Sequence, residues 1–184
     1  MLKKIKIKPF DIWDESQNKF ISFDKEVEIT LGHSLVSISK WEAKWKKPYL
    51  ANREMTSEEV LDYIKCMTIT QNVDPKIYYG LSADNVKEIK EYIEDDMTAT
   101  TFTDRRSAQQ HYRNKVTTSE EIYYMMSENN IPVEFQKWHL NRLLTLLKVC
   151  YFKNAPAKKM SRKDIMTDYA AINRANRAKF KTRG

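Results

Sequence analysis

Glycine, proline and cysteine are scarce in this chain: three, five and two residues out of 184. With glycine only at positions 32, 80 and 184, no glycine-rich loop can cradle a phosphate, and flexible linkers have little room. Cys66 and Cys150 each sit inside an apolar helical pattern. They read as buried free thiols of a reducing cytosol, not as a disulfide framework. Histidine is equally sparse. His33, His111 and His139 have no ligand-spaced neighbours, so neither a zinc pair nor a carboxylate-flanked metal site can be assembled, and no cofactor is expected. Long apolar runs are missing too. The greasiest stretch, Leu143 to Phe152, is broken by Thr145 and Lys148 and is too short to span a bilayer. The alternation of lysine with Ile5 and Ile7 near the N-terminus is incompatible with the apolar centre of a signal peptide.

What is abundant is charge, and it is unevenly placed. Residues 153–184 hold ten basic side chains, among them Arg162, Lys163, Arg174 and Arg177, against Asp164 and Asp168. Ten minus two gives +8 where the whole chain is +7, so residues 1–152 sum to −1. A near-neutral body with a cationic end is the layout of a protein that meets an acidic partner, protein or nucleic acid.

The pattern along the chain predicts a mainly α, α+β fold in which a small N-terminal antiparallel β unit precedes a helical bundle. Residues 1–152 form one globular domain, β-rich over 1–31 and helical over 34–152, and 153–184 form a basic helix or tail. Ile5 and Ile7, then Phe10, Ile12 and Trp13, then Phe20, Ile21 and Phe23, then Val27, Ile29 and Leu31 repeat with period two. Asp14 to Lys19 supplies a turn, and two or three strands are expected. Leu35, Ile38, Trp41 and Trp45 then fall at helical spacing up to Pro48. Thr56 to Glu59 and Thr118 to Glu121 are capping boxes, and Ser82 caps a helix with Val86, Ile89, Tyr92 and Ile93 inward and an acidic opposite side. Residues 98–117 read as an extended arm with an exposed tip. The strongest helix is expected from Val133 to Phe152, with Phe135, Trp138, Leu143, Leu146, Leu147, Cys150 and Tyr151 on a wide apolar face. A last basic helix carries Ile165, Met166, Tyr169, Ile172 and Phe180 on a thin stripe.

No catalytic constellation emerges. His139 reads as a hydrogen-bonded, half-buried imidazole, His33 as part of a turn or cap, and His111 as part of the arm tip. Glu58-Glu59 and Glu120-Glu121 look like acid/base pairs, but helix N-termini account for carboxylates there. The binding candidates are richer. Trp41 and Trp45, four apart and surrounded by Lys44, Lys46 and Lys47, make either a docking surface or a piece of core. Arg105 and Arg106, with Arg113 and Lys115, make the arm basic, and with the tail they could leave a nucleic-acid footprint. No aromatic run interleaves with them as a single-strand platform would need, and no helix-turn-helix is recognisable.

Four stretches carry a family likeness: Gly32 to Trp45 with Lys47 to Leu50; Asp62 to Thr68; Tyr92-Ile93 with Met97 to Thr100; and Asn130 to Glu134 through Trp138 to Leu146. Asn154-Ala155-Pro156 to Ser161 and the closing Asn173-Arg174 to Gly184 fit as well. Together they resemble a group of small proteins of tailed bacteriophages described as tail assembly chaperones or tail-region proteins. The resemblance covers most of residues 30–184. It implies a non-enzymatic role in the infected cell's cytoplasm: binding the tape-measure protein, a long helical chain, and delivering it to tail-tube subunits. It supplies no catalytic residues. The contact residues that go with this reading are Trp41, Trp45, Arg105, Arg106, Arg162, Lys163, Arg174 and Arg177. A basic nucleic-acid-binding protein, a permanent virion component and a homo-oligomer remain open beside it.

Overall fold

The computed structural model describes residues 2–15, 18–51, 54–101 and 117–154, and, within 166–177, residues 166–167, 169–170, 172–174 and 177. The chain divides into two units, Met1–Tyr151 and Phe152–Gly184.

The fold is α+β and mostly helical. Among the described residues, four short strands open it: β1 (Lys3–Ile7), β2 (Phe10–Asp14), β3 (Lys19–Phe23) and β4 (Val27–Leu31). They pair as two nested antiparallel ladders, β1 with β4 and β2 with β3. The two or three expected strands are thus four. Each arm of the hairpin is interrupted, by Lys8-Pro9 on the way out and by Asp24 to Glu26 on the return. Two residues therefore oppose three, and the register slips by one between the ladders. Pro9, which has no N–H to donate, stands in that break.

Period-two patterning decides what each ladder buries. In the first, Ile5 lies opposite Ile29 and Ile7 opposite Val27, and Ile5, Ile7, Ile29 and Leu31 are all buried. Lys4 and Lys6 point the other way and pair with Glu28 at 2.8 Å and Glu26 at 3.1 Å. In the second ladder, Phe10 and Phe23 stack at 4.9 Å on the inner face.

Among the described residues of 35–154, five α-helices follow: α1 (Leu35–Trp45), α2 (Ser57–Met67), α3 (Ala83–Glu94), α4 (Ser119–Glu128) and α5 (Leu140–Asn154). Short 3₁₀ turns lie at Tyr49–Ala51, Pro75–Gly80 and Val133–Lys137. The caps are chemical stops and starts. Thr56 and Glu59 form a reciprocal capping box, as do Ser82 with Asn85 and Ser34 with Ser37. Lys46, in the left-handed region at φ 55°, ends α1, and Asn130 at φ 52° follows the end of α4. The core is built from Leu35, Ile38 and Trp41 of α1, Tyr63, Ile64 and Met67 of α2, Ile89 of α3, Ile122 and Met126 of α4, and Leu140, Leu143 and Leu147 of α5, against the first ladder.

The helix expected from Val133 starts only at Leu140. Trp138 is extended (ψ 160°), and His139 pairs with Ser34 in an isolated antiparallel bridge. The Leu140 amide then donates to the His33 carbonyl at 3.0 Å. Tertiary pairing to the β4–α1 junction has taken the backbone that a continuous helix would need. The buried stripe of α5 is correspondingly narrow. Leu146 and Cys150 are half-buried, and Tyr151 is exposed.

Candidate functional site

The tryptophan–lysine cluster resolves into an internal lock. Trp41 is fully buried, and its indole N–H donates to the Glu59 carbonyl at 3.0 Å. Trp45 stacks on it at 6.2 Å and donates to Asp62 Oδ2 at 2.9 Å. The lysines around it are already partnered: Lys44 reaches Asp62 at 2.5 Å and Lys47 reaches Glu59 at 2.6 Å. Burial opposes ionisation of Asp62, but hydrogen bonds from Lys44 and Trp45 outweigh it and leave its pKa lowered. The Lys47 hydrogen bond holds Glu59 below the usual carboxylate range. Glu42, also buried, accepts from the Tyr49 and Ser119 amides, each at 2.8 Å, and so ties α1 to the N-terminus of α4. Trp41 is therefore a core residue, a correction to its place among the contact residues. Trp45 is half-buried and serves the α1–α2 contact.

A different aromatic pair faces solvent. Along β2, Phe10, Ile12 and Asp14 share one parity and Trp13 has the other; along β3, Ile21 and Phe23 oppose Phe20. Trp13 lies directly across from Phe20, and the rings meet edge to face at 4.8 Å. Trp13 is 46% and Phe20 69% exposed, so this ladder puts one aromatic pair outside while Phe10 and Phe23 stay on the inner face. Tyr79, 61% exposed, adds a third ring, and an open groove of about 450 Å³ runs between Ile12, Trp13, Asp14, Glu15, Lys76 and Tyr79. Lys76 forms an ion pair with the buried Asp14 and anchors the hairpin to the 3₁₀ turn. Gly80 makes the approach possible, because a Cβ there would sit 2.3 Å from the Phe10 ring. The sequence carried a signal for this surface. An aromatic at the solvent parity on both arms of one hairpin, equidistant from the turn, is a cross-strand pair.

Of the basic candidates, Arg174 and Arg177 are exposed on helical backbone. Met166, Tyr169 and Ile172, at spacing three on that backbone, are 73%, 64% and 54% exposed. Arg105 and Arg106, the rest of the arm's basic set, and Arg162 and Lys163 lie outside the described residues.

One buried polar cluster was not visible from spacing. His33 and His139, far apart in sequence, lie ring to ring at 5.0 Å. The Tyr63 hydroxyl meets His33 Nδ1 at 2.5 Å, and the His33 amide donates to the Tyr92 hydroxyl at 3.2 Å. His139 Nε2 donates to the Tyr92 carbonyl at 2.9 Å, which leaves its buried Nδ1 without a partner among the described residues. Burial, reinforced by His139, pushes the His33 pKa down to about 3. Burial also lowers His139, against the opposing hydrogen bond to Tyr92. Both imidazoles are held neutral and pin β4, α1, α3 and α5 together at one junction. His33 serves the turn, as its position suggested, and His139 is fully buried where half-burial was expected.

Cys66 and Cys150 are free and half-buried, and burial raises the Cys66 pKa. Among the described residues no group of three or more His, Cys, Asp or Glu could hold a metal ion, and no helix is long and apolar enough to cross a membrane. No family model, curated protein or solved structure matches this chain.

Proposed function

We propose that this chain is a non-enzymatic assembly factor of a tailed bacteriophage that binds the tape-measure protein or tail-tube components during tail construction. One observation carries the reading: a cross-strand Trp13–Phe20 pair on an anchored hairpin, and Tyr79 on the adjoining 3₁₀ turn, present three large aromatic side chains to solvent. Tryptophan and tyrosine anchor interfaces, because a large rigid ring buries area at little entropic cost. An amphipathic helical client would lay its apolar side on such a face. The exposed Met166, Tyr169 and Ile172 beside a cationic sequence support a second contact that speeds encounter with acidic stretches of the client. The likeness of residues 30–184 to tail assembly chaperones supplies the client's identity.

Co-expression with the tape-measure protein of the same phage tests this. The client should become soluble and co-purify with the wild-type chain, and Trp13→Ser with Phe20→Ser should abolish both effects without changing the melting temperature. If neither solubility nor co-purification changes with the wild-type chain, the reading is wrong. The exposed Arg174 and Arg177 favour one rival, nucleic-acid binding. In that case the chain would bind duplex DNA at about 50 mM salt and release it steeply as salt rises.

A further inference from the structure

We infer that the basic tail of one copy docks on the acidic face of α3 in a second copy, so that the chain self-associates head to tail. The face is charged by sequence and shaped by packing. Asp84, Glu88, Glu91, Glu94, Asp95 and Asp96 are all exposed, against Lys87 and Lys90 on the same segment. Lys3 neutralises Glu88 at 3.0 Å, but among the described residues Glu91, Glu94 and Asp96 have no ion-pair partner. Beside them is a groove of about 310 Å³ bounded by Leu2, Lys3, Glu88, Glu91, Tyr92, Asp95 and Met97, in which the Lys3 charge is taken up by Glu88. Leu2 adds exposed apolar surface to its lining, and Ile69, also exposed, lies near Leu2 across Gly32.

The occupant is chosen by complementarity. This groove offers carboxylates next to apolar surface, and residues 153–184 offer ten cations against two acids with an apolar stripe through them. Met166, Tyr169 and Ile172 fall on one helical face, and Arg177, about three turns on from Met166, returns to its edge. Met166, Tyr169 and Ile172 are exposed, and in this arrangement the groove of a second copy covers them. Groove and tail are different surfaces of the same molecule. The contact is therefore heterologous and propagates instead of closing on a two-fold axis. A single short helix buries little area, so the contact is weak and ionic. The inference does not depend on which client the protein serves.

Sedimentation velocity on the full chain tests it. At about 50 mM salt the mean size should grow with protein concentration, and at about 500 mM salt the chain should be monomeric. Glu88→Lys with Glu91→Lys should weaken association at least about tenfold, as should Met166→Ser with Ile172→Ser. All four positions are solvent-exposed, so both variants should melt like the wild type. Mixed together, they complement: the first retains an intact tail and the second an intact groove, giving a one-to-one pair that grows no further. A wild-type chain monomeric at every concentration in low salt overturns the proposal, even if its tail is protected from trypsin, because the tail would then bind its own body. Failure of the mixture to pair, or association surviving in either variant, overturns it too.

Discussion

The two ladders of the N-terminal hairpin have the same length and the same antiparallel pairing, yet they do opposite things with their apolar residues. The β1–β4 ladder hides Ile5, Ile7, Ile29 and Leu31 beneath the helices and leaves lysine–glutamate pairs outside. The β2–β3 ladder buries nothing as deeply on its inner face and turns Trp13 and Phe20 outward. Backbone hydrogen bonding cannot be the cause, since both ladders have it. What differs is the cover. The first ladder packs its inner isoleucines fully into the helical core, whereas the second packs Phe10 and Phe23 partly against that core and meets the 3₁₀ turn at Pro75–Gly80, while its outer Trp13 and Phe20 stay exposed. An exposed aromatic pair on an otherwise anchored ladder is unusual for a surface that meets water alone.

The largest expected effect breaks the first ladder at its junction. His33 is held near a pKa of about 3 where an unfolded histidine has 6.5. The unfolded chain therefore binds more protons below pH 6.5, and stability falls as pH drops from 6.5 toward 3. Full linkage of this one group amounts to about 4–5 kcal/mol at the acid end. Urea melts between pH 7 and 5 should show the loss above the range where carboxylates titrate, and His33→Gln should flatten that slope. A pH-independent midpoint in the wild type would refute the neutral-histidine junction. Protonating His139 would add to the loss, because its Nδ1 has no hydrogen-bond partner among the described residues.

Next in size is Ile29→Ala, which empties a fully buried site in the first ladder and should cost about 2–5 kcal/mol by chemical denaturation. Gly80→Ala comes third. The added methyl must displace the Phe10 ring, so a loss of about 1–3 kcal/mol is expected. Hydrogen exchange should locate it in β2–β3 and leave β1–β4 protected. Smallest is Phe20→Ser, within about 0.5 kcal/mol of wild type because the ring is mostly exposed. That variant sharpens the contrast: a near-neutral melt combined with lost client binding separates an interface residue from a core residue.

Several elements were legible in the residues alone because their causes are local. Period-two alternation gave the four apolar segments of the hairpin, and Asp14 to Lys19 gave its turn. Thr56 with Glu59, and Ser82 as a cap, gave helix starts, since a side-chain hydroxyl at that place satisfies a free backbone amide of the first turn. Helical spacing placed Ile89 and Tyr92 inward. The Trp41–Trp45 cluster was ambiguous for a physical reason. Spacing fixes which residues share a helix face, but not what that face meets, and here α2 supplies Glu59 and Asp62 to close it.

By itself, then, the sequence determined the α+β order of elements, the inward parity of Ile5, Ile7, Ile29 and Leu31, the caps, and the concentration of positive charge at one end. These follow from short-range geometry and from counting. Only the tertiary structure decided that α5 begins at Leu140, that His33 and His139 share one dry junction, that Trp41 is core, and that Trp13 and Phe20 stand uncovered together. Each of those depends on which distant surface arrives to compete for a backbone group or exclude water, and no local pattern encodes that arrival.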